Sequence, residues 1–193
     1  MFINNQTGRS MIEMLGVLAI VGVLSVGGLD MISKARESKK IAELLGGVSN
    51  LGATIVQQRK HASEVYSDYS GNYTMFIKQI GKIPAGFTFD SSVFKTALGA
   101  TVKAKAEDND GLVIVTVARL SKEACVKVAT NDWGNRNSSR FVGLAVSSSA
   151  AATCPVNPVT AIPGSAGYPM SISTAATACA SKTNNTVYLA YNL

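Results

Sequence analysis

Four side chains have the chemistry to attack, ligate or cross-link: Cys125, Cys154, Cys179 and the single histidine, His61. Structural zinc takes four ligands, drawn mostly from closely spaced Cys or Cys/His pairs. The sequence has no CxxC, and one imidazole cannot make up the set, so neither a metal site nor another cofactor is expected. A nucleophile needs a base beside it and a group that orients the base, and no triad signature surrounds His61. There is no phosphate loop and no GxGxxG; Gly27-Gly28 and Gly46-Gly47 lie inside helical pattern. An enzyme is not expected. The remaining chemistry for the thiols is oxidation. Three cysteines allow three pairings, and closing about 54 residues rather than about 25 changes the chain entropy by only about 0.7 kcal/mol, which selects none of them. In a reducing compartment all three would stay thiols.

A fifth group is notable for its position. Glu13 sits inside the apolar run Met11 to Leu29, MIEMLGVLAIVGVLSVGGL. Roughly 19 residues at about 1.5 Å each match the ~30 Å core of a bilayer. An ionisable group there costs a few kcal/mol unless it is paired or near the interface. The preceding residues MFINNQTG carry no Lys or Arg, unlike the basic start of a secretory signal. Cleavage after Gly8 would make Glu13 the fifth residue of a new chain, with the new amino group as a candidate partner.

These groups must be carried by a helix. No proline interrupts the chain before Pro84, and Ile41, Leu44, Leu45, Val48, Leu51 and Ile55 recur at three- and four-residue steps. One helix from about Ser10 to about Gln58, roughly 70–75 Å long, is predicted. Residues 61–73 read as its exit, followed by a short helical piece at TMFIKQIGKI and a break at Pro84-Ala85-Gly86. TVKAKAE, the turn Asp108-Asn109-Asp110-Gly111 and LVIVTVARL form a hairpin with period-two patterning. Ser121 caps a short helix, FVGLAVSSS is a strand, and residues 147–170 are a long loop poor in charge and bulk. STAATACAS is a weak helix and TVYLAYNL a terminal strand. The expected fold class is α+β: a long N-terminal helix whose second half covers an antiparallel sheet.

With 47% hydrophobic and 16% charged residues, and mean hydropathy +0.20, the chain is not of the disordered class. Lys+Arg 18 against Asp+Glu 12 gives +6, yet the basic residues are scattered along the sequence and form no aromatic-interleaved run. Nucleic acid is therefore a weak expectation as a partner.

The stretch Gly8-Arg9-Ser10-Met11-Ile12-Glu13 followed by MLGVLAIVGVLSVGG resembles the N-terminus of type IV pilins and their pseudopilin relatives. The resemblance implies a leader, 1–8, removed by a prepilin peptidase after Gly8, methylation of the new amine on Arg9, and an assembly role for Glu13 within the helix 9–60, whose segment 11–29 spans the membrane. It departs from the family in lacking a positive leader and in beginning the mature chain at Arg9. The basic residues Lys34, Arg36, Lys39 and Lys40 come after the span, and a charge count alone favours the opposite orientation. The head, 61–193, with ACVKVATNDWG and ACASKTNNTVYLAYNL, resembles the type IVb pilins more loosely. That likeness implies a disulfide between Cys125 and Cys179 bracketing 125–179, with Cys154 unpaired or an alternative partner. The function it implies is that of a filament subunit, held in the bacterial inner membrane with a periplasmic head and then built into an extracellular pilus by an inner-membrane assembly platform. Its partners are copies of itself, and its service is adhesion, aggregation, conjugation or motility. The neighbouring readings are a minor pilin, a type II secretion pseudopilin, or a signal-anchored periplasmic protein.

Overall fold

A computed structural model describes residues 7–58, 71–107, 111–134, 140–149 and 169–192; within these, the side chains of residues 7–10, 23–30 and 107 are not described. The chain forms two compact units, Met1–Lys39 and Lys40–Leu193, which meet inside one helix. That helix, α1, runs Thr7–Gln57 without the interruption a proline would cause. It starts three residues before the position expected from sequence and ends one residue earlier.

In the second unit, α1 carries its apolar side chains on one stripe. Ile41, Leu44, Val48, Leu51 and Ile55 are all buried, while Ala42, Glu43, Ser49, Asn50 and Ala53 between them are exposed. Helix α2 (Tyr73–Gln79) opens with the Asn72 side chain accepting a hydrogen bond from the Met75 amide at 3.3 Å. It adds Tyr73, Phe76 and Ile77 to the same core.

Among the described residues the head has six strands: β1 (Phe87–Asp90), β2 (Val93–Thr96), β3 (Thr101–Glu107), β4 (Leu112–Leu120), β5 (Phe141–Ser147) and β6 (Asn185–Asn192). The sheet is antiparallel throughout, in the order β1-β2-β3-β4-β6-β5. The hairpin expected from TVKAKAE and LVIVTVARL is present, with Val102 opposite Val117 and Ala104 opposite Val115. Alternation puts Val102, Ala104 and Ala106 in the core and leaves Lys103 and Lys105 exposed. The strand pair β1–β2 was not legible in sequence. Its four-residue strands are too short to show a period, and its turn reverses through Ser91, a non-glycine at φ 60°. It is held by aromatic packing of Phe94 against Phe87 and Phe89.

The last strand is not at an edge of the sheet. β6 inserts between β4 and β5 and is buried on both faces from Asn185 to Tyr191. Between β4 and β6 the chain forms α3 (Lys122–Ala129), β5 and α4 (Ile172–Ala178). α3 is capped by Ser121, whose hydroxyl accepts from the Ala124 amide at 3.2 Å; α4 is capped in the same way by Ser171 and the Thr174 amide.

The expected fold class therefore holds at the level of an α+β architecture with helices and a six-stranded antiparallel sheet. Among the described residues, however, no helix is long and apolar enough to cross a membrane. The transmembrane segment expected over 11–29 is thus not provided by them: within that run, side chains are described only from Met11 to Gly22, which is shorter than a bilayer core requires.

Candidate assembly surface and the disulfide-tied corner

In the first unit the apolar pattern of α1 is of a different kind. Met11, Ile12, Met14, Leu15, Val17, Leu18, Ile20 and Val21 are each between 52% and 74% exposed. At about 100° per residue these positions point in all directions around the helix instead of forming one stripe. A helix that is apolar all round is stable only when surrounded, by lipid or by other helices. Glu13 lies among these residues, is itself exposed, and has no ion-pair partner among the described residues. Gly8 and Arg9 fall in the first turn of α1, and nothing is described of their side chains. Met31 and Ile32, later in the same unit, are exposed as well.

The second chemically distinct feature is a covalent tie. Cys125 on α3 and Cys179 at the C-terminal cap of α4 form a disulfide with Cα atoms 5.9 Å apart, and both are fully buried. The helical spacing that places Cys125 and Val128 on one face of α3 also presents the thiol to α4. Trp133 closes the other end of α3, its indole Nε1 donating to the Val128 carbonyl at 2.9 Å. Cys154 and His61 lie outside the described residues, as do most of the loop 147–170 and the chain from 59 to 70.

Below this tie, the side chain of Asn185 acts as a staple. It is fully buried; its Nδ2 donates to the carbonyls of Leu120 at 3.2 Å and Ser181 at 2.6 Å, and its Oδ1 accepts from the Ser181 amide at 3.0 Å. The Lys122 amide donates to the Lys182 carbonyl at 3.1 Å. Arg119 and Lys122, three residues apart in sequence, thus share one corner of the head with the distant Lys182. No run of charge along the sequence signals them, because the corner is made by a contact between segments some sixty residues apart.

A surface groove of about 380 Å³ is lined by Glu43, Gly46, Gly47, Asn50, Ala85 and Gly86. It holds one carboxylate and one amide and no nucleophile. Among the described residues no group of three or more His, Cys, Asp or Glu could hold a metal ion.

Burial raises the phenol of Tyr191 well above its ordinary value of 10.0, and does the same to a smaller extent for Tyr73. On the sheet surface, Asp90 is held below the usual carboxylate range by its hydrogen bond with Lys95, helped by the Ser91 hydroxyl.

Comparisons with protein-family models, with curated proteins and with solved structures give no significant match for this chain.

Proposed function

We propose that this protein is the structural subunit of a type IV pilus-like filament. The observation that carries the reading is the all-round exposure of apolar side chains from Met11 to Val21 around the lone carboxylate of Glu13. A helix of this kind needs an apolar surround on every side, first the inner membrane over 11–29 and then the same segments of neighbouring subunits. Glu13, buried in that bundle, needs a cation, and the amine freed by cleavage after Gly8 supplies one. Repetition of this head-to-tail contact does not close on itself and so grows a fibre. The head contributes a rigid body: the α1 stripe from Ile41 to Ile55 is already satisfied by the sheet, which leaves the N-terminal half as the part that seeks partners.

In this reading the chain meets a prepilin peptidase, an assembly platform in the inner membrane, and other copies of itself, and the head matures outside the cytosol, where a disulfide persists. The test is the intact mass of membrane-extracted protein, before and after reduction. Loss of residues 1–8, one added methyl and one disulfide support the proposal. A full-length chain with unmodified N-terminus defeats it.

A further inference from the structure

The corner formed by Arg119, Lys122 and Lys182 presents three exposed cations that have no ion-pair partner among the described residues. We infer that it is a docking site for the phosphate backbone of duplex nucleic acid, bound without regard to sequence. The inference concerns the head alone and does not depend on filament assembly.

Three observations support it. First, the fold itself brings the cations together. The Lys122 amide is bonded to the Lys182 carbonyl, and Arg119 is three residues from Lys122, which limits the chain between them to about 11 Å. All three residues are exposed. Among the described residues none has an ion-pair partner, and the nearest carboxylate along α3, Glu123, is engaged by Lys127 at 2.8 Å. Holding three like charges together is unfavourable in itself, and the fully buried Asn185 fastens the two segments that do it.

Second, Arg119 has an unusual backbone. It sits where the β4–β6 register shifts between Val117 and Leu120, and its φ is 62°, in the left-handed region that a long side chain rarely occupies. Bulges of this kind redirect a side chain, and strain kept at an exposed cation points to use of that cation.

Third, the chemistry around the corner selects among polyanions. Among the described residues no Phe, Tyr or Trp is exposed. Single strands bind chiefly by stacking bases on aromatic rings, which the described surface does not present, whereas a duplex keeps its bases stacked and turns its phosphates outward. Contacts made to phosphates alone carry no sequence information.

The test uses the full chain in detergent micelles and a labelled random-sequence duplex, followed by fluorescence anisotropy from 50 to 200 mM salt. Neutralising three phosphates makes wild-type affinity fall about 40-fold over that range. The triple variant Arg119→Asn, Lys122→Gln, Lys182→Gln, in which Asn tolerates the left-handed backbone, reduces that salt dependence to less than about threefold while keeping the disulfide and the thermal transition. Lys103→Gln with Lys105→Gln, on the exposed face of β3, leaves binding unchanged. The inference is overturned if the wild type ignores the duplex, if the triple variant binds like the wild type, or if the β3 pair is needed as much as the corner. It is equally overturned if a single strand of equal length, or vesicles of phosphatidylglycerol, bind more tightly than the duplex.

Discussion

Gly52 of α1 and Tyr191 of β6 are packed so closely that a Cβ on the glycine would stand 2.6 Å from the tyrosine Cζ and 2.8 Å from its hydroxyl oxygen. The helix meets the terminal strand at this point, and the approach is possible only because one side has no side chain. Gly47 has the same relation to the ring of Phe87 on β1.

Alanine at 52 is the better helix former by about 1 kcal/mol, and on propensity alone Gly52→Ala would stabilise the protein. Overpacking costs about 1–3 kcal/mol and opposes it. Because the blocking atoms belong to a ring buried in the core, the steric term wins. Urea unfolding is expected to show a net loss of stability, with Gly46→Ala, where nothing lies within 4 Å of the new methyl, giving a gain. Equal effects at the two positions would contradict the packing described.

Tyr191 also sets an alkaline limit. Its folded phenol titrates above its unfolded value of 10.0 because burial disfavours the phenolate. Below pH 10 both states are protonated and the group contributes no pH dependence. Above pH 10 the unfolded chain releases the proton while the folded chain retains it, so stability declines from there towards the raised folded value. Tyr191→Phe is expected to flatten the decline between about pH 10 and about pH 11.5 in short unfolding measurements. An unchanged slope would assign the alkaline loss to other groups.

The disulfide Cys125–Cys179 spans a sequence separation of 54, for which the chain-entropy account gives about 4 kcal/mol. The double variant Cys125→Ser, Cys179→Ser is expected to lose an amount of this order in denaturant titrations. Reduction of the wild type should produce the same loss, and a loss below about 1 kcal/mol would mean that α3 and α4 are held by packing alone.

Under the proposed filament role, Glu13→Ala is expected to insert in the membrane and be processed normally but to assemble poorly, since that proposal puts the carboxylate to use between subunits and not within the folded head. Filament yield by shearing and sedimentation is the measurement. Yield equal to wild type would remove the assembly role of Glu13.

Much of the head can be read directly from the sequence, because its elements carry their own periodicity. The α1 stripe at Ile41, Leu44, Val48, Leu51 and Ile55, the β3–β4 alternation, and the Ser121 cap each depend on neighbours within about one or two turns. The motif from Gly8 to Glu13 is likewise local, which is why the proposed assembly role could be formed from sequence.

Tertiary structure decided what depends on residues distant in sequence. Three thiols left three pairings open, and only the docking of α4 on α3 puts Cys125 beside Cys179. The insertion of β6 between β4 and β5 goes with its burial on both faces, which no pattern along β6 alone can place. The gathering of Arg119, Lys122 and Lys182 rests on a backbone hydrogen bond and on one buried amide, Asn185, each joining segments about sixty residues apart. Local periodicity determines what an element is; the closing of long loops, through bonds that form only when the core does, determines which elements become neighbours.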